Sequence, residues 1–136
     1  MSSLVEQGSR EMSRILLVED DPDVLALFET VLFDANYHVI TATNVREGRT
    51  RLDDEECDLL LTDGRLPDGT GITLADFADA RGTPVLILTG YAFILRQLAD
   101  ADQTDKYRVL LKPIRPKELV AAVEETLGAK DLAAGR

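Results

Sequence analysis

Five short stretches of the chain are apolar at consecutive positions: RILLV at 14–18, HVITA at 38–42, DLLLT at 58–62, PVLILTG at 84–90 and RVLLK at 108–112. A strand with one wet face alternates apolar and polar residues, whereas a strand covered on both faces reads as a continuous run. Segments of helical periodicity separate the five. Strands that must be covered twice, alternating with helices that each carry one apolar stripe, are satisfied by a parallel sheet with helices on both faces.

The segment DPDVLALFETVLFDA (21–35) illustrates the helical pattern. Asp21 suits an N-cap, and Pro22 suits the first helical position, where its missing N–H costs nothing. Val24, Leu27, Phe28, Val31 and Leu32 recur at i, i+3, i+4, i+7 and i+8, a stripe expected to be core. Asn44 with Glu47 resembles a capping box for a helix to about Asp54, weakened by Gly48 within it. GITLADFADAR (71–81) and AFILRQLADA (92–101) supply a third and a fourth helix. PKELVAAVEETLG (116–128) closes the pattern, with Leu119, Ala122, Val123 and Leu127 on one face and Gly128 as its stop. The expectation is one domain over residues 14–128. Residues 1–13 read as a polar, disordered tail in which Met12 is a candidate initiator, and 129–136 as a short C-terminal tail.

Bulk properties exclude several functions. With 136 residues the chain holds one compact domain. A formal net charge of −10 argues against direct nucleic-acid binding and against a polybasic membrane patch. No apolar stretch approaches the ~20 residues of a membrane-spanning helix. The N-terminal residues lack the apolar core of a secretion signal. Cys57 is the lone cysteine, so an internal disulfide is impossible and a reducing cytoplasm fits; it reads as a small apolar packing residue. His38 is the lone histidine and reads as an edge-strand residue, so a zinc site is not expected.

The chemistry gathers at the strand ends. In an open parallel sheet, ligands bind beyond the C-terminal ends of the strands. There the sequence places Glu19-Asp20-Asp21, Asp63, Thr89 and Lys112: acids, a hydroxyl and a cation from four different strands. Neighbouring strands lie ~4.8 Å apart, so carboxylates that end adjacent strands crowd one another. Two like charges ~4 Å apart repel by about 4 kcal/mol at an effective dielectric near 20. Such a group calls for a cation, and oxygen-only ligands with water select a hard one such as Mg²⁺. A metal among carboxylates, beside a hydroxyl and an ammonium, is arranged for a phosphoryl group. Asp63 is then the nucleophile that becomes an aspartyl phosphate, and it needs no base because a carboxylate is already ionised at neutral pH.

These residues resemble the receiver domain of two-component response regulators. ILLVEDDPDVL resembles the acidic-pair motif, LLLTDGRLPDGTG the phosphoacceptor strand and loop, VLILTG the hydroxyl strand and LLKPI the lysine–proline motif. The resemblance spans residues 14–128 and implies a single-domain (βα)5, doubly wound, flavodoxin-like α/β fold with strand order 2-1-3-4-5. It implies Asp63 as phosphoacceptor and Glu19 and Asp20 as the acidic pair. Mg²⁺ would be held directly by Asp20, Asp63 and the Arg65 backbone carbonyl, and by Glu19 through water. Thr89 takes the place of the switch hydroxyl and Lys112 that of the site lysine, with the Lys112–Pro113 peptide cis. Pro67 and Gly71 match the loop pattern. The family's aromatic switch position, three before the lysine, is Val109 here, and Tyr107 lies two residues earlier. Arg65 and Tyr91 stand where they would affect water access to the acyl phosphate.

Implied partners are a histidine kinase or phosphotransfer protein and a downstream protein target, with no nucleic acid or membrane. A homodimer through the face of the fourth helix, fifth strand and fifth helix is an assembly that the resemblance allows. Three functions compete: a phosphorylation-operated switch, a small aspartyl-nucleophile phosphatase, and a degenerate receiver serving as a constitutive interaction module. The phosphatase class needs an acid two residues after the nucleophile, where Arg65 stands, so the expectation is a switch and not a conventional enzyme. DGTG (68–71) is a poor dinucleotide fingerprint, lacking the third glycine.

Overall fold

The computed structural model describes residues 12–90 and 106–135. The expected helix at 92–101, Tyr91 and the expected tail up to residue 11 lie outside them.

Each apolar run forms a strand. β1 (Arg14–Val18), β2 (His38–Ala42), β3 (Leu59–Asp63), β6 (Val85–Thr89) and β7 (Arg108–Leu111) build one sheet in the order β2-β1-β3-β6-β7. All its neighbours are parallel. A two-stranded hairpin, β4 (Arg65–Leu66) with β5 (Gly69–Thr70), leaves the end of β3. With the hairpin set aside, the order is the expected 2-1-3-4-5. The helices are α1 (Pro22–Asp34), α2 (Val45–Asp54), α3 (Gly71–Asp79) and α4 (Pro116–Gly135).

Alternate strand residues feed two cores, as a doubly covered sheet requires. On one face Leu16, Val18, Leu60 and Ile87 pack with Leu52 of α2 and Leu74 and Ala78 of α3. On the other, Ile15, Leu17, Leu61 and Leu88 pack with Phe28 and Leu32 of α1 and Leu119 and Val123 of α4. Gly48 lets α2 approach α3: a Cβ there would stand 2.8 Å from a Leu74 methyl. Two cations close the same seam, with Arg49 and Arg81 lying 4.6 and 3.8 Å from the Phe77 ring centre.

Local signals are realised with three corrections. Asp21 caps α1 by accepting from the Asp23 and Val24 amides, and Pro22 opens the helix. Leu27, however, is exposed and not core. It lies about 100° round the helix from Phe28, and the buried stripe takes in Leu25 instead. Asn44 accepts from Glu47 N, but the return bond of Glu47 goes to the Thr43 amide and hydroxyl, one residue outside the expected capping box. The last helix does not stop at Gly128; it runs on to Gly135. A Cβ at Gly128 would meet nothing within 4 Å, and the residue lacks the positive φ of a helix-ending glycine.

Candidate functional site

Parallel pairing sets the level of each strand end. Val18 is opposite Thr62, so Glu19 and Asp63 leave adjacent strands at the same height. Asp63 is the last residue of β3, not the first beyond it, and pairs with Leu88, which puts Thr89 one step further along. Thr89 pairs with Leu111, and its carbonyl accepts from the Lys112 amide at 3.0 Å. Four residues distant in sequence therefore arrive at one edge because the strands are in register.

The side chains converge. Carboxylate oxygens of Glu19, Asp20 and Asp63 all lie within 4.8 Å of one another. Lys112 Nζ donates to Glu19 Oε1 at 2.7 Å and to Asp63 Oδ2 at 3.1 Å. The other oxygens of these two acids are also engaged. Glu19 Oε2 accepts from Asp21 N at 3.1 Å, and Asp63 Oδ1 accepts from Arg65 N at 3.2 Å. Asp20 is exposed, and among the described residues no donor holds its carboxylate. Glu19, Asp63 and Thr89 are buried. The Arg65 side chain is exposed. The Lys112–Pro113 peptide is cis.

Three carboxylates against one ammonium leave two formal negative charges in this small volume. Like charges ~4.8 Å apart repel by about 3.5 kcal/mol at an effective dielectric near 20. Burial drives the Glu19 carboxyl above its ordinary range, and the bonds from Lys112 and Asp21 offset this only in part. For Lys112 burial works to lower the ammonium, but Glu19 and Asp63 outweigh it and hold the group above the usual lysine value. The residues fit a divalent cation: oxygen donors only, an unmatched double charge, and an acid facing solvent to receive the ion.

The loop after Asp63 is tightly held. Gly71 N donates to the Gly64 carbonyl at 3.0 Å, and a Cβ at Gly71 would fall 2.1 Å from the Asp63 carbonyl oxygen. Only glycine fits there. Sequence reasoning missed the role of Asp68 at the hairpin tip, whose carboxylate accepts from Val45 N at 2.8 Å and Arg46 N at 3.0 Å. The Pro-Asp-Gly turn was legible, but no local signal names a helix 22 residues earlier as its partner. Tyr107 was also underread. It is buried on the α2–α3 face, and its hydroxyl donates to Asp76 of α3, while Val109 packs partly buried against the same cluster. Burial first, and then Asp76, push the phenol above its usual value.

Comparisons with known proteins bear on the family and the fold. A family model described as a response regulator receiver domain matches residues 15–124. The chain is 36% identical over 118 residues to the response regulator receiver protein CpdR of Brucella abortus, covering 85% of this chain and 98% of that protein. It is 38% identical over 113 residues to the response regulator protein PilR of Pseudomonas aeruginosa, covering 79% of this chain but 25% of PilR. The chain thus spans about a quarter of PilR and likewise of GlrR of Escherichia coli. Among solved structures, a CheY-like receiver domain protein from Methanospirillum hungatei superposes with a TM-score of 0.81 at 27% identity, covering 90% of this chain and 99% of that one.

Proposed function

Because the chain belongs to the response regulator receiver domain family, whose members are signalling domains and not conventional enzymes, we propose that it is a switch operated by phosphorylation of Asp63. The observation that carries this reading is the convergence of Glu19, Asp20 and Asp63 on one point with Lys112 bonded to two of them. Asp20 and Asp63, with the Arg65 backbone carbonyl, would hold Mg²⁺ directly. Glu19, whose oxygens are already engaged by Lys112 and Asp21 N, would reach it through water. A bound Mg²⁺ supplies charge neutralisation for the phosphoryl oxygens.

The chain's own residues do the rest. An Asp63 oxygen attacks phosphorus, and the bond from phosphorus to the donor's imidazole nitrogen breaks, its electron pair leaving with the nitrogen. Lys112 follows one phosphoryl oxygen, and the Thr89 hydroxyl turns toward another. Those contacts exist in the phosphorylated state alone, so they supply the differential free energy that shifts the conformational equilibrium. The donor is a histidine kinase or phosphotransfer protein, met in the cytoplasm, and the output is a protein target. The domain assists both the gain and the hydrolytic loss of its phosphoryl group. The alternative of a constitutive interaction module draws on Val109, which cannot act as an aromatic toggle. The assembled carboxylates and Lys112 weigh against it.

The test is intact-mass measurement after incubation with Mg²⁺ and acetyl phosphate. Wild type is expected to gain one phosphoryl group, lost on removing Mg²⁺ or in Asp63→Asn with its fold retained. Labelling of Asp63→Asn at the wild-type level refutes the assignment, and an unlabelled wild type favours the interaction module.

A further inference from the structure

The N-terminus of α2 has its free amide donors answered from two directions. In a helix the first N–H groups lack intrahelical acceptors. Here Glu47 N goes to the Asn44 side chain, but Val45 N and Arg46 N both go to the carboxylate of Asp68, 23 and 22 residues later. One oxygen takes each amide, and the negative charge sits at the positive end of the helix. Asp68 thereby serves as a cap supplied from outside the helix.

The hairpin that carries Asp68 also carries Arg65. From Asp63 the chain is held at three places. Arg65 N donates to Asp63 Oδ1, Gly71 N donates to the Gly64 carbonyl, and Asp68 is fastened to α2. The first two ties are local to the ends of the loop. Among the described residues the third ties its tip to α2, beside Leu66, which is buried in the core. Without the Asp68 bonds the hairpin remains closed by its own pairing and seated by Leu66, but its tip loses the hydrogen bonds that tie it to α2.

We infer that Asp68 is a positioning residue for the cation site, because its clasp on Val45 N and Arg46 N fixes the loop from which Arg65 presents its backbone to Asp63 and to the ion. The inference rests on the proposed function above. It concerns the affinity of the site for its ion, not the chemistry at Asp63. Groups bonded directly to a metal ligand alter affinity by about 10–100-fold when removed. Asp68 acts one step further out, so about three- to tenfold is expected.

The full chain is titrated with Mg²⁺ alone, followed by the backbone amide NMR signals of Gly64 and Arg65, as wild type, Asp68→Asn and Asp68→Ala. Asp68→Ala is expected to raise the Mg²⁺ dissociation constant about three- to tenfold, with Asp68→Asn, which keeps one carbonyl oxygen, in between. Phosphorylation by acetyl phosphate at saturating Mg²⁺ is expected to recover to within about twofold of wild type, a split between affinity and rate that a general loss of structure would not give. Val45→Pro removes the Val45 donor from the helix side and leaves the loop's own sequence unchanged, with Val45→Ala, which keeps the donor but trims the same buried side chain, as its control. Proline suits the first helical position, and Asn44 before it is already extended. It decides the matter if Asp68→Ala fails to fold. An unchanged Mg²⁺ affinity in folded Asp68→Ala, or in Val45→Pro, overturns the inference while the proposed function stands. A wild type that binds no Mg²⁺ overturns both.

Discussion

Lys112 Nζ lies 3.1 Å from Asp63 Oδ2 and 2.7 Å from Glu19 Oε1, so a single ammonium spans two buried acids that leave adjacent strands. Among the described residues it is the counter-charge bonded to an acidic group whose oxygens could hold a metal ion. This contact has an energetic consequence. Leaving buried charge unpaired costs about 3–5 kcal/mol in a fully buried pair. Lys112 is a quarter exposed, so solvent reduces that figure.

Lys112→Met should therefore lower stability in Mg²⁺-free buffer by about 1–3 kcal/mol. The same variant should gain more from added Mg²⁺ than wild type does, because the lysine no longer competes for the carboxylates. Thermal melts with and without Mg²⁺ check this. An equal Mg²⁺ increment in both proteins would remove Lys112 from the ion's surroundings.

Two glycines should respond oppositely to one added methyl. At Gly71 the new carbon meets the Asp63 carbonyl oxygen at 2.1 Å, an atom of the backbone that cannot step aside. Gly71→Ala should cost at least about 2–3 kcal/mol and depress labelling of Asp63. At Gly128, inside α4 with open space around it, alanine should stabilise by about 0.5–1 kcal/mol. Urea denaturation of both variants measures the two signs.

Cys57 should alkylate slowly. Burial, followed by the nearby Glu55 and Asp58, raises its thiol to about 11. The group resists ionisation when folded, so the folded state loses stability as pH rises through the unfolded thiol's value toward the folded one. At pH 8 the thiolate fraction falls roughly one to two orders of magnitude below that of an unfolded chain. Iodoacetamide labelling of native and urea-unfolded protein compares them; equal rates would contradict the raised value.

The strands were readable because burial on both faces writes itself as uninterrupted apolar sequence, and β1 and β2 fall at the expected residues. The candidate site was readable for a related reason. Parallel strands bring their C-terminal ends to one edge, so residues just past the runs become neighbours whatever their separation in the chain. What escaped depended on contacts between elements. Leu27 fits the periodic stripe, but how α1 rolls on the sheet decides that Leu25 is covered and Leu27 is not. Gly128 looks like a terminator, yet nothing in its backbone or surroundings ends α4 there. Asp68 reads as a turn residue, and only the placement of α2 beside the hairpin makes it a cap. Tyr107 stands just before the strand that carries Val109, and its bond to Asp76 of α3 could not be inferred from spacing.

The bond from Lys112 to Glu19 joins residues 93 positions apart. No fragment that stops short of β7 can close that charge group, so the acids that end β1 and β3 face each other without their ammonium until Lys112 is in place. Closure of the acidic group is thus coupled to the docking of β7 beside β6, and an intact bond from Lys112 to Glu19 reports that this strand has joined the sheet.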